Sequence, residues 1–168
     1  MIVYAQGDIT KFDVDAIVNA SNGFGYMGGK RCVKELHRGV AESIQFASQG
    51  AVERLARAKC KAHSFFGYSP GTVFVTDAPN LGCRKIIHAV TMRTPGSKAK
   101  IKKIMELILK IVAVAEDLNM KSIAIPLLGC GTGGLDRKTV QNLLAHNLIS
   151  DLSLIHISEP TRLLSISY

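Results

Sequence analysis

The chain has no tryptophan, aromatic residues make up only 6% of it, and its four cysteines stand singly at Cys32, Cys60, Cys83 and Cys130. Without a C-x-x-C pair, neither a zinc ribbon nor a dithiol redox centre is spelled out, and reduced thiols are expected. No metal ligand set is predicted, since His63 and His146 have no partner at ligand spacing. Sparse aromatics also leave no recognisable base-stacking motif. No apolar run approaches the roughly 18 residues of a membrane span, and the first residues enter a strand-like pattern with no basic segment before it. A soluble, cytoplasmic protein without a membrane partner is the expectation. Acids are scarce too: 13 Asp and Glu face 21 Lys and Arg, a formal net charge of +8. Such a surface concentrates anions, and by itself it does not choose between nucleotides and nucleic acid.

Against these scarcities stand 47% hydrophobic and 20% charged residues in 168. That is a globular composition, sufficient for one domain that buries roughly 70% of its unfolded surface. The run 152–162, LSLIHISEPTR, is similar to the in-frame translation of a transposase adapter used in sequencing libraries. Residues 152–168 are therefore expected to be a non-native tail, kept out of fold reasoning. The domain is expected to span residues 1–151 and to lack its own last segment.

Short apolar runs bounded by turn residues predict strands at Ile2 to Gln6, Ala16 to Asn19, Thr72 to Thr76, Lys85 to Ala89 and Ser122 to Pro126. Most are apolar on both sides, as in a sheet covered by helices. Helices are predicted at Lys30 to Ala47 with a break at Gly39, Gln49 to Ala62, Ser97 to Asn119 and Arg137 to Leu148. In the longest, Ile101, Ile104, Met105, Ile108, Ile111, Val112 and Ala115 recur at three- and four-residue steps and predict its buried face. The alternation predicts an α/β fold with three α/β/α layers. The short link between the third and fourth strands favours one antiparallel pair in a mixed, mostly parallel sheet.

Two loops carry the chemistry. The first runs Asn19-Ala-Ser-Asn22-Gly23-Phe-Gly25-Tyr-Met-Gly28-Gly29 and the second Leu128-Gly129-Cys130-Gly131-Thr132-Gly133-Gly134-Leu135-Asp136. Each follows a predicted strand, precedes a predicted helix and contains G-x-G-x-x-G. Glycines there let the backbone turn and approach a ligand, while helix N-terminal amides bind phosphate oxygens. At the carboxyl edge of one sheet the two could pinch a diphosphate. Neither is a P-loop, because Phe24 stands where its first glycine belongs and Arg31 replaces its Ser or Thr. A Rossmann site lacks its acid about 20 residues on. Asp8, in Gly7-Asp8-Ile9-Thr10, could accept from an adenine amino group while the Ile9 amide addresses a ring nitrogen; the other reading is a capping Asp. Asp136 has the same pair of readings, a carboxylate for catalysis or the cap of the Arg137 helix. His88, on an apolar strand, reads as a satisfied core histidine. Phe24 and Tyr26 could stack on a ligand ring or plug the first loop.

Taken together, Gly7-Asp8-Ile9-Thr10, Val14 to Asn22, Lys85 to Val90 and Ile125 to Asp136 resemble the macro domain family of ADP-ribose-binding modules, in the family's order and over residues 1 to about 150. The resemblance implies a crevice for ADP-ribose or an ADP-ribosylated macromolecule. Asp8 and Ile9 would lie at adenine, with Asn19 among the binding residues and Asn22 beside the distal ribose. Gly28, Gly29, Gly129, Cys130, Gly131, Thr132, Gly133 and Gly134 would surround the diphosphate. No cofactor is implied. In the hydrolase branch an Asp after the first glycines activates water; counted from Asn22, this chain has Lys30, Arg31 and Cys32 there. Met27-Gly28-Gly29 and Gly129-Cys130-Gly131 resemble another branch that leads to Asp. The resemblance thus implies Asp136 as catalytic carboxylate, with Asn22 and Lys30 or Lys34 assisting. The functions in play are an ADP-ribosyl hydrolase, de-ADP-ribosylating or of the O-acetyl-ADP-ribose deacetylase type, a non-catalytic ADP-ribose reader, and a binder of RNA or poly(ADP-ribose).

Overall fold

The computed structural model describes residues 2–36 and 39–148, and the backbone of a strand at 154–159. His37, where the first predicted helix crosses its break, lies outside the described residues, as does most of the segment 152–168. Six strands form one sheet in the order β1-β6-β5-β2-β4-β3, with β1 at Ile2–Gln6, β2 at Ala16–Asn22, β3 at Val73–Asp77, β4 at Lys85–Met92, β5 at Ser122–Pro126 and β6 at Leu154–Glu159. All neighbours are parallel except β3, which runs antiparallel to β4. The mixed, mostly parallel sheet is the one expected. Part of the segment read as a tail supplies β6, paired with β1 and β5.

Helices cover both faces. α1 (Gly29–Lys34), α2 (Val40–Ala47) and α3 (Ala51–His63) come between β2 and β3, while α4 (Ile101–Asp117) and α5 (Arg137–Asn147) flank β5 in sequence. Period-two alternation divides the core accordingly. Ala16 and Val18 of β2 and Ile123 and Ile125 of β5 pack with α4 and α5. Ile17, Ile86 and Ala124 pack with Ile44 and Val52 from α2 and α3. Ala56 and Cys60 of α3 close over Phe74 and Val90. Each fully buried Ile, Leu or Val contributes about 1.5–3 kcal/mol, so α4, with Ile104, Leu107, Ile108 and Ile111 fully buried, anchors its layer. The predicted stripe is shifted at its start: Ile101 and Met105 are exposed and Leu107 takes their place. Parallel strand register is fixed at the amino edge by Asp15, whose Oδ2 accepts from the amides of Lys121 and Ser122 and whose carbonyl accepts from Arg84. Among the described residues no helix is long and apolar enough to cross a membrane.

β2 and β4 run past their predicted ends because their polar residues bond each other across the sheet. Asn19 Nδ2 donates to His88 Nδ1 at 3.2 Å, and His88 Nε2 meets Thr76 Oγ1 at 3.0 Å. With Nδ1 accepting, the proton sits on Nε2 and the ring is neutral. Burial, aided by Lys59, pushes the His88 pKa down to about 3. Phe74 stacks on this ring at 4.5 Å, Tyr68 on Phe74 at 4.7 Å and His63 on Tyr68 at 4.0 Å. His88 is the satisfied core histidine expected of it.

The unfolded chain protonates this imidazole below about pH 6.5 and the folded protein does so only near 3, so the unfolded state binds the extra proton between those values. The melting temperature should therefore hold above pH 6.5 and fall as the pH is lowered toward 4. In His88→Leu the slope should flatten, from a lower starting stability because Asn19 and Thr76 lose their partner; thermal denaturation across pH checks both.

Candidate ligand crevice

At the carboxyl edge, where β2, β4 and β5 deliver their loops, lies a cavity of about 410 Å³. Ala20 and Asn22 of β2, Thr91 and Met92 of β4 and Pro126 and Leu127 after β5 line it from the sheet. The glycine loops flank it with Tyr26 to Gly28 and Gly129 to Gly133. The remaining lining comes from Gly39 to Glu42 at the start of α2, Pro95 and Gly96 before α4, and Arg137 at the start of α5. Among the described residues of this lining, Glu42 is the carboxylate and Arg137 the cation.

The second loop folds on itself through bonds from the Cys130 amide to Leu127, Gly134 to Gly131 and Leu135 to Gly129, and it takes the Ala99 amide at the Gly133 carbonyl. Left over are the amides of Gly131, Thr132 and Gly133, which among the described residues donate to nothing in the protein. An anion in the cavity would give them an acceptor, and unpaired backbone amide dipoles favour negative charge. Gly133 is there because of space: a Cβ would stand 2.6 Å from the Gly129 carbonyl oxygen. A Cβ on Gly131 would meet nothing within 4 Å.

Quite different is the first loop, whose amides are already used. Glu53 of α3, buried beneath it, accepts from the amides of Met27 at 2.6 Å and Gly29 at 2.9 Å. Gln45 Nε2 donates to the Gly29 carbonyl. Asn22 turns inward: its Oδ1 accepts from Phe24 and Tyr26 and its Nδ2 donates to the Tyr26 carbonyl at 2.7 Å. The protein's own carboxylate thus holds the place that an external phosphate would take at the amides of Met27 and Gly29. Gly28, at φ 103°, makes the turn before α1, where a Cβ would fall 2.3 Å from Cys32 Sγ.

The cavity brings together Asn22, Gly28, Gly129, Cys130, Gly131, Thr132 and Gly133 of the expected site. Gly134 lies outside its lining, as do Gly29, Lys30 and Lys34, which belong to α1. Asn19 is committed to His88. Asp8 caps a single 3-10 turn, its Oδ1 accepting from the amide and hydroxyl of Thr10, and Ile9 is buried in the core. Asp136 caps α5: its Oδ2 accepts from the Thr139 amide at 2.8 Å and hydroxyl at 2.7 Å, and those bonds hold its pKa below the usual carboxylate value. Neither Asp lines the cavity. For both, the capping reading describes the geometry.

Sequence reasoning missed Glu42, Arg137 and Glu53. An acid in the first turn after Gly39 signals a helix start, but a helix drawn through the break put Glu42 in its interior. The Cys32 thiol, raised chiefly by burial and next by the Glu42 charge, records how near that carboxylate lies. Glu53→Ala should lower unfolding free energy by on the order of 3 kcal/mol, because two buried amides lose a charged acceptor. Urea titration checks this, with Lys61→Ala, exposed in the last turn of the same helix, as the near-neutral comparison.

The Macro domain family model matches residues 18–144. A DNA ADP-ribosyl glycohydrolase of Mycobacterium tuberculosis is 32% identical over 145 residues, 86% of this chain and 38% of that protein. An Aeropyrum pernix protein is 27% identical over 80% of this chain and 64% of its own length, so the chain spans less than two thirds of these curated relatives. Among solved structures, the macrodomain of M. tuberculosis DarG superposes with a TM-score of 0.79 at 27% identity, covering 96% of this chain and 99% of that one. A Trypanosoma brucei macrodomain in complex with ADP-ribose shares the fold at TM-score 0.74 and 19% identity, covering 94% of this chain and 62% of that one.

Proposed function

The chain belongs to the macro domain family, and on that premise we propose that its crevice holds ADP-ribose joined to a macromolecule and hydrolyses the bond that joins them. One observation carries the reading: the three open amides of Gly131, Thr132 and Gly133 share one cavity with the carboxylate of Glu42 and the guanidinium of Arg137. The amides and Arg137 suit the diphosphate. Tyr26, half-exposed on the lining, suits the face of a ribose or base.

For the chemistry, Glu42 is the base. It takes a proton from water, the water oxygen bonds to C1″ of the distal ribose, and the bond from C1″ to the acceptor breaks with its electron pair passing to the acceptor atom, which takes up a proton. Asp136 is the weaker candidate, since its Oδ2 is engaged by Thr139 and lies off the cavity lining. The name of the mycobacterial relative supports DNA as the acceptor class.

Calorimetric titration with ADP-ribose should give micromolar affinity, about −8 kcal/mol, well above that for NAD. Gly131→Val should abolish this binding while leaving the melting temperature unchanged, because its side chain enters open cavity space. With ADP-ribosylated DNA, Glu42→Gln should retain binding and lose kcat by about 100-fold or more. Binding without turnover in the parent protein makes it a reader; turnover that survives Glu42→Gln and falls with Asp136→Ala moves the base to the α5 cap.

A further inference from the structure

Aromatic residues are few, yet four of the ten Phe and Tyr residues form an exposed strip that starts at the crevice. Tyr26 lines the cavity. Phe24 follows, beside Gly67, where a Cβ would touch its ring at 3.5 Å. Beyond Gly67 stand Phe66 and Phe65, 64% and 91% exposed, edge to face at 5.3 Å. The Arg93 guanidinium lies 6.0 Å from the Phe66 ring centre.

This loop is braced. Gly67 and Phe66 donate to the Ser64 carbonyl and hydroxyl, Tyr68 donates to the Gly23 carbonyl, and Gly23 donates to the Arg93 carbonyl. The stack of His63 on Tyr68 fixes both its ends. Two phenylalanines held in a fixed turn leave most of their surface in water, and solvated apolar surface of that kind marks a place for a partner. Charge decides which partner. Around this turn Arg93 lies by Phe66, Lys61 stands in the last turn of α3 with His63, and Lys103 and Lys110 reach Gly71, where Glu106 is bound to Lys103.

We infer that the strip Tyr26, Phe24, Phe66 and Phe65, with Arg93, is a stacking platform for the unpaired bases of single-stranded DNA that bears the ADP-ribose. The inference rests on the hydrolase reading for what the crevice itself holds. Flat rings and a guanidinium accept base faces of any sequence, and the surrounding cations follow the phosphates. The strand leaves the cavity mouth at Tyr26 and passes over Phe24 to Phe66 and Phe65.

The test uses fluorescence anisotropy with an unmodified 12-nucleotide oligo-dT and a duplex of equal length, on the full chain and on Phe65→Ala/Phe66→Ala, both residues being exposed enough to replace without unfolding. Single strand should bind more tightly than duplex, and the double variant should weaken single-strand binding at least about tenfold at every salt concentration. Its affinity for free ADP-ribose should be unchanged. Equal binding of the oligonucleotide by parent and variant overturns the inference, as does a preference for duplex. So does a parent dimer that the variant turns to monomer in sedimentation, which would assign the strip to a second copy of the chain. Loss of ADP-ribose binding by the parent, with the oligonucleotide result intact, overturns the hydrolase reading alone.

Discussion

Glu53 reaches from α3 beneath the first glycine loop and accepts the amide hydrogens of Met27 and Gly29 at 2.6 and 2.9 Å. The rest of the ligand edge follows from that contact. A buried carboxylate is tolerated only where donors surround it, and here the donors are amides that a phosphate-type loop would otherwise offer outward. The first loop is therefore a wall, set by Glu53 and Gln45 from below and by Asn22 from within. The second loop, folded on itself and bonded to Ala99, keeps open amides. Two loops with the same glycine spacing thus divide the work, one giving shape and the other charge recognition.

Spacing could show that both loops lie at the sheet's carboxyl edge, since strand, turn and helix follow one another within a few residues. It could not show which loop is already satisfied, because Glu53 stands 24 residues beyond Gly29 on another helix. The strands β1 and β5 were legible to the residue, being apolar runs closed by turns. β2 and β4 were read short because Ser21, Asn22 and Thr91 look like loop residues, and their cross-strand partners make them strand. The α4 stripe was legible as a period and offset at its first turn, where the segment before it, tied to Gly133, sets the phase. At Asp136 the local pattern held both readings. Thr139, three residues on, is the hydrogen-bond donor that makes a cap, yet an Asp after a glycine loop reads equally as chemistry until the cavity is seen to lie elsewhere.

Lys30 shows the same limit from the other side. A lysine directly after glycines in a loop is a reasonable guess for an electrophile, but α1 is an excursion: Gly28 and Gly39 line the cavity and residues 29–36 do not. Among the described residues the lining resumes at Gly39, and it is the first turn of α2 that presents an acid, Glu42, to the cavity. The acid of the cavity lining is reached by following the fold, not by counting from Asn22.

Strand direction accounts for the last feature of this edge. In a wholly parallel sheet every strand enters at the amino edge, and the loop before a strand lies far from the ligand. β3 breaks that rule: Val73 pairs with Ala89, and the amides of Gly71 and Val90 bond the carbonyls of Val90 and Thr72, so β3 begins where β4 ends. The turn that precedes β3, with Phe65 and Phe66, is thereby delivered to the crevice side, and its Tyr68 amide is bonded to the first glycine loop at Gly23. A single antiparallel edge strand, predicted from nothing more than a short link, converts what would be a remote surface loop into the rim of the site. Arg93, just past the end of β4, and Lys110, bonded to the Gly71 carbonyl before β3, are brought to the same side by that reversal.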